Sequence, residues 1–360
     1  MILDMLLKAG LGLIILGMVL NIAGLLTWVE RKQSALMQDR IGANRAAIFG
    51  FTALGLLHGI ADAVKMFTKE DCMPKGAHRF IFNLAPAISV AFAMAAFAAI
   101  PFGNTLTLFS RTINLQVAEL DAALLFVLAA MSIAVYGVIL AGFSSNSNYA
   151  VLGGMRAASQ MLSYEMSMGL SILGLVLLND TMNLQEMVRA QGGTWLGFIP
   201  RWGVFTQPLA FLVFTTAVLA ETKRAPFDLP EGESEIIGYF VEYSGMKFGM
   251  FLLTDFIETV LAACLVSVFF FGGWQIPGLH ATGFHFPWGT TIPLPPLAVS
   301  LLGVAAMMTK VVFFNWLFMA LRWTLPRFRY DQLMHLGWKI LLPASIANVL
   351  VTAAWVAWRG

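Results

Sequence analysis

Residues 246–272 read MKFGMFLLTDFIETVLAACLVSVFFFG. Apart from Lys247, Asp255 and Glu258, this run of 27 residues is uncharged. A helix needs about 20 mostly apolar residues to cross a bilayer, and this stretch is longer. It is also continuous, whereas the strand of a membrane barrel would alternate over about 10 residues. Seven further runs of the same kind lie on either side, at 6–28, 80–102, 121–142, 161–178, 204–220, 297–320 and 336–358. The fourth and fifth of the eight, 161–178 and 204–220, are short. The pattern predicts an all-α integral membrane protein with eight transmembrane helices. No linker, low-complexity tract or internal repeat interrupts it, so residues 1–360 are expected to form a single polytopic membrane domain.

Composition agrees. The 360 residues are 59% hydrophobic and 12% charged, and the mean hydropathy is +0.77. A typical soluble domain is about 45–50% apolar and about 25% charged. Too little polar material remains to cover a soluble surface, which excludes a soluble globular enzyme, a nucleic-acid binder and a disordered chain. Cys72 and Cys264 are the two cysteines, too few for a disulfide scaffold, a four-cysteine iron–sulfur cluster or a cysteine-rich zinc site within this chain. The first 30 residues lack a short core with a small-residue cleavage site and are expected to be a retained span.

One apolar stretch, 48–67, differs from the spans. His58, Asp62, Lys65 and Lys69 recur at helical spacing and share one face. Leu54, Leu57, Ile60, Ala61 and Val64 surround it. This predicts an amphipathic helix between the first and second spans, lying along the membrane or against a partner.

Lysine and arginine set the orientation. Sixteen of the 22 fall on the loops that follow odd-numbered spans, eight of them on the first. The excess places those loops in the cytoplasm and both termini outside. Lys310 lies within a span.

In so apolar a chain the remaining charges are informative. Glu165, Asp255, Glu258 and Lys310 fall inside spans, each at a cost of roughly 2.5–3.5 kcal/mol at a helix centre. Such residues face a bundle interior, pair with one another or line a wet path. Asp255 and Glu258 are three residues apart and share a face. Glu165 sits away from a small stripe of Ser163, Ser167 and Ser171, which suits helix packing. Lys310 is weighed as a structural counter-ion to one of the acids. The densest cluster is the fifth-to-sixth loop, where Glu221, Asp228, Glu231, Glu233, Glu235 and Glu242 stand against Lys223 and Arg224. Pro226, Phe227, Leu229 and Pro230 stiffen it and call for burial. A buried acidic loop is a place where protons exchange; the plain alternative is a solvated acidic loop. The segment 28–45, WVERKQSALMQDRIGANR, carries cations suited to an electron-rich headgroup or an acidic partner, besides serving topology. The five histidines are scattered and read as structural or interfacial. No Walker loop, dinucleotide fingerprint or HExxH motif is present.

These segments also carry a resemblance. WVERK at 28–32, QDRIGANR at 38–45, ADAVKMFTKED at 61–71, RAASQMLSYE at 156–165, ETKRAPFDLPEGESEIIGYFVEYSGMKF at 221–248 and LRWTLPRFRYDQLMHLGWKILLP at 321–343 closely resemble the H-subunit family of proton-pumping NADH-quinone oxidoreductase (complex I), whose mitochondrial counterpart is NADH dehydrogenase subunit 1. The resemblance covers nearly the whole chain. It implies an eight-span membrane component that forms much of the quinone chamber beneath a hydrophilic arm and couples quinone reduction to proton translocation. It places Arg31, Arg40, Lys65, Phe227, Arg327 and Arg329 near the chamber or its docking surface. It places Asp71, Glu165, Glu221, Glu231, Glu233 and Glu235 on an acidic path, continued by the span-six acids Asp255 and Glu258.

Quinone is then the substrate, and iron–sulfur clusters and FMN belong to partner subunits. The implied partners are hydrophilic quinone-module subunits on the cytoplasmic side, antiporter-like and small membrane subunits in the bilayer, and lipid; no nucleic acid is implied. The implied location is a bacterial cell inner membrane. The sequence departs from the family pattern at Ala43, where proline is usual, at His78, where aspartate is usual, and at Asp255, where a longer glutamate is usual. Two rivals fit the same spans: the homologous membrane component of an energy-converting hydrogenase, without a quinone site, and an autonomous transporter. The full first-loop and 221–248 strings favour the quinone version.

Overall fold

A computed structural model describes residues 2–108, 111–195, 199–230, 237–280, 282–285 and 291–359. Its long helices are α1 (Ile2–Met37), α3 (Arg79–Ala95), α4 (Ala123–Ser144), α5 (Asn148–Asn179), α9 (Gly245–Phe270), α10 (Pro296–Thr324) and α12 (Leu342–Arg359). Shorter helices are α2 (Leu57–Thr68), α6 (Leu184–Ala190), α7 (Gly203–Thr206), α8 (Pro208–Glu221) and α11 (Tyr330–His335). A 3-10 turn, Ala96–Ala99, extends α3, and a π segment, Leu336–Leu341, joins α11 to α12.

Seven of these segments are long and apolar enough to cross a membrane: Met5–Met37, Arg79–Ala99, Ala123–Ser144, Asn148–Asn179, Gly245–Phe270, Pro296–Thr324 and Tyr330–Arg359. The chain is a multi-pass, all-α membrane protein in this coarse sense. The predicted fifth span, 204–220, is occupied by α8. That helix has 14 residues and rises about 21 Å, short of the roughly 30 Å hydrocarbon core. Pro208 starts it, and the charged turn after Glu221 ends it. Among the described residues, the strands form three small antiparallel sheets in loops. Thr105–Leu108 pairs with Arg111–Asn114, Thr194–Trp195 with Ile199–Pro200, and Gly283–His285 with both Leu279–His280 and Thr291–Pro293.

The stretch 246–272 forms the axis. The most apolar eighteen-residue window of α9 is 89% buried, against 17–50% for the other six long segments. An all-apolar helix can face lipid or protein; α9 faces protein, packing against α1, α2, α3, α8 and α10. Phe214 on α8 meets Phe269 and Phe270 with ring centroids 5.5 Å apart. Lys310 caps the C-terminal end of α9. Its ammonium donates to the carbonyls of Phe271, Gly273 and Gln275, each at 2.7 Å, and lies 4.7 Å from the centre of the Trp202 ring. Its partners are thus carbonyl oxygens, not the intramembrane acids that made a counter-ion role plausible. All three carbonyls lie in the turn just past Phe270, the last residue of α9, and buried carbonyls outside a regular ladder need a donor, which the ammonium supplies.

The amphipathic stretch is α-helical only from Leu57, after a single 3-10 turn at Ala53–Gly55. Gly50 and Gly55 before it take φ of +84° and +92°, a left-handed backbone that glycine tolerates and a helix does not. Leu54, Ile60, Val64 and Phe67 are exposed, while α2 rests on α1 and α9. In the last span, Pro343 offers no N–H to the carbonyl of Lys339, and the chain widens there into its π segment.

Candidate acidic site between α5, α8 and α9

The 221–230 turn is buried, which removes the solvated-loop alternative for its first half. Glu221, Lys223, Arg224, Phe227 and Asp228 all lie under the surface. Two neighbours hold the turn there. On α5, Gln160 Nε2 donates to the carbonyls of Ala220 at 2.9 Å and Phe227 at 2.7 Å. On the segment after α10, Arg327 Nη2 binds Asp228 Oδ2 at 2.5 Å, and the Phe328 amide donates to the Pro226 carbonyl at 3.1 Å. The Phe227 ring packs between Phe328 and Tyr164, with centroid distances of 5.4 and 5.6 Å.

The turn drives Lys223 into the bundle. Lys223 has φ of +56° and a side chain only 1% exposed. Its ammonium lies 2.9 Å from Asp255 Oδ1 and 3.3 Å from Glu258 Oε2, and 5.6 Å from the centre of the Tyr239 ring. The spacing of three on α9 thus puts both carboxylates on one cation, as their shared face implied. Glu221, at the end of α8, interacts electrostatically with Glu165, Glu258 and Lys223. Glu165 reaches in from α5 and accepts from the Ser132 hydroxyl of α4. Ser163 faces the other way and accepts from Trp338 Nε1 at 2.9 Å. Four acids and one lysine from α5, α8, α9 and the turn therefore share one region. Glu221 Oε2 is buried with no hydrogen-bond donor among the described residues.

A second charged group joins this region to the C-terminal half of α1. Glu30, in WVERK, lies 2.6 Å from Arg322 and 3.5 Å from Arg224, and the Arg224 guanidinium stacks 3.9 Å from the centre of the Phe256 ring.

Other candidates lie apart. Arg31 Nη2 binds Asp62 Oδ2 at 2.5 Å, tying α1 to α2, and Lys65 approaches the same carboxylate at 3.5 Å. Arg40 is exposed, with its Nε on Gln38 Oε1 at 2.7 Å. Arg329 pairs with its neighbour Asp331 on the surface. Asp71 pairs with Lys247 at 2.6 Å, eight residues and about 12 Å of helix from Asp255. Glu231, Glu233 and Glu235 lie outside the described residues. Just beyond them, Tyr243 stacks on Phe82 at 4.0 Å and bonds the Phe82 carbonyl at 3.2 Å. Burial pushes its phenol up to about 12.

Sequence reasoning misses Lys223, Arg322 and Glu30 as members of the site. In the sequence, Lys223 and Arg224 stand out only as cations opposing the loop acids. In WVERK the cations draw the eye, although a glutamate between an aromatic residue and two cations at a span end is itself a signal. No group of three or more His, Cys, Asp or Glu able to hold a metal occurs among the described residues.

A model of the NADH dehydrogenase family matches residues 10–353. The NADH-quinone oxidoreductase H subunit of Flavobacterium johnsoniae is 43% identical over 329 residues, 91% of this chain and 89% of the relative. The H subunit numbered 1 in Geobacter metallireducens is 45% identical over 339 residues, 94% and 92% of the two chains. The H subunit numbered 2 in Syntrophobacter fumaroxidans is 44% identical over 348 residues, 96% and 95%. With the match running through nearly every span and through the charged turn, the chain belongs to the NADH dehydrogenase family, alongside these H subunits.

Proposed function

We propose that this chain is the H-type membrane component of an NADH-quinone oxidoreductase, an enzyme complex in which it is not catalytic alone. It crosses a bacterial inner membrane eight times as one polytopic domain, with α8 as the short fifth span, α2 at the cytoplasmic interface and both termini outside. Quinone is the substrate. Electrons reach it through iron–sulfur clusters and FMN held by hydrophilic partner subunits, while antiporter-like and small membrane subunits adjoin this chain in the bilayer. The surface around Arg31, Arg40, Lys65, Phe227, Arg327 and Arg329 forms part of the quinone chamber and its docking face. The acids Asp71, Glu165, Glu221, Glu231, Glu233, Glu235, Asp255 and Glu258 carry the coupling path.

The carrying observation is the gathering of the buried carboxylates Glu221, Asp255 and Glu258 with half-buried Glu165 beneath the turn. Carboxylates survive in such surroundings when they pair, bind a proton or line a wet path. Quinone reduction changes the charge at the cytoplasmic end. Acids close enough to feel one another electrostatically pass that change on as altered protonation. The Glu30, Arg224 and Arg322 group links α1 and α10 to the same turn. Quinone-linked charge therefore has a short electrostatic route to the acids.

Glu221→Gln and Glu233→Gln keep the side-chain shape and remove the ionisable group. In the assembled complex, coupled quinone reduction should fall about a hundredfold, the low end for a lost proton-transfer group, while assembly persists. Normal quinone-dependent proton pumping in both variants would contradict the reading.

A further inference from the structure

Lys223 occupies a position that ordinary packing does not explain. Its backbone is left-handed, at φ +56°, where a residue bearing a Cβ is rarely found. Its long side chain is almost fully enclosed. A buried charge of this kind persists only beside opposite charge, and two carboxylates are there, at 2.9 and 3.3 Å. Their oxygens flank a single nitrogen, and the Tyr239 ring stands beside it. One cation against two anions leaves the trio one negative charge from neutrality, so the trio is neutral when it binds a single proton.

We propose that Lys223 is the moving counter-charge of the acidic path, its ammonium shifting between Asp255 and Glu258 as one or the other takes up a proton. When protonated Glu221 passes its proton on, its O–H bond breaks and an O–H bond forms on Glu258. The ammonium keeps its three hydrogens and moves fully onto Asp255. When the Glu258 O–H bond breaks in turn and the proton bonds to an Asp255 oxygen, the ammonium returns to Glu258. No bond at nitrogen breaks, and the charge of the trio follows the proton. Among the described residues, the other charged groups facing it are Glu221 and Arg224, with Glu165 behind Glu221. Lys223 is a positioning residue in this scheme. It sets which carboxylate is free to accept the next proton.

The proposal rests on the acidic-path reading, and the test separates the two. The complex carrying Lys223→Arg, Lys223→Gln or Glu221→Gln is purified and reconstituted in liposomes. Quinone reduction and protons translocated per electron are measured per assembled complex. Arginine keeps the charge, but its planar fork binds two carboxylates at once and pins the trio. Both Lys223 variants should therefore assemble yet translocate several-fold fewer protons per electron, with Lys223→Gln the more severe. A static counter-ion predicts instead a normal ratio in Lys223→Arg, and that result overturns the proposal. Failure of both variants to assemble would show a folding role only, and overturns it equally. Loss in Glu221→Gln beside normal ratios in the Lys223 variants would sink the lysine alone. A normal Glu221→Gln would sink the path.

Discussion

At the scale of single residues, the site depends on close approaches as well as on charge. Gly153 of α5 lies against the segment that leads into α9. A Cβ there would fall 2.6 Å from the Gly238 carbonyl carbon and 2.7 Å from the Tyr239 amide nitrogen. Those are backbone atoms, which cannot swing aside as a side chain can. Gly153→Ala should cost about 1–3 kcal/mol, as overpacking does. It should also push Tyr239 away from Lys223, so the assembled complex should melt lower and turn over quinone more slowly. An unchanged melting temperature would show that this contact is looser than its geometry. The sequence exposed the acids of this region because acids are rare in it. It did not expose the partnership of Lys223 with Asp255 and Glu258, since that contact joins a turn to a helix more than thirty residues away. The same holds for Gln160, a neutral residue among small ones, whose two hydrogen bonds fasten the turn.

At the scale of elements, apolar run length located the helices, because crossing a bilayer is a local requirement. Their ends were less legible. The polar first half of α5, from Asn148 to residue 160, lacks the apolar signature, yet Gly153, Gly154, Ala157, Ala158 and Gln160 are buried against neighbouring elements. Likewise α2 begins several residues later than its apolar pattern, since two glycines before it turn the chain. None of its residues is fully buried, so its docking leans on the ion pair between Asp62 and Arg31. That pair is partly exposed and is worth about 0–1 kcal/mol. Asp62→Asn should leave the bundle intact while amide exchange across Leu57–Thr68 quickens by up to about fivefold. Exchange at the wild-type rate would mean that packing alone seats α2.

At the scale of the whole molecule, the lysine and arginine bias and the apolar segments together specify a topology. The free Cys72 is exposed and Cys264 is buried, which gives a direct check. In vesicles stripped of peripheral subunits, a membrane-impermeant maleimide should label Cys72 from the cytoplasmic face only and leave Cys264 untouched until denaturation. Labelling of Cys72 from the outer face would invert the topology. Within that frame the scarce charge of the chain is concentrated. Acids and Lys223 gather beneath one turn, and cations lie on the loops that would face the hydrophilic partners. The proposed function makes this arrangement a relay set into an otherwise apolar bundle. Its central claim is tested most directly by the protons translocated per electron in liposomes holding the complex with Glu221→Gln. A relay through Glu221 predicts a ratio well below wild type while the complex remains assembled; a wild-type ratio at a wild-type rate would contradict it.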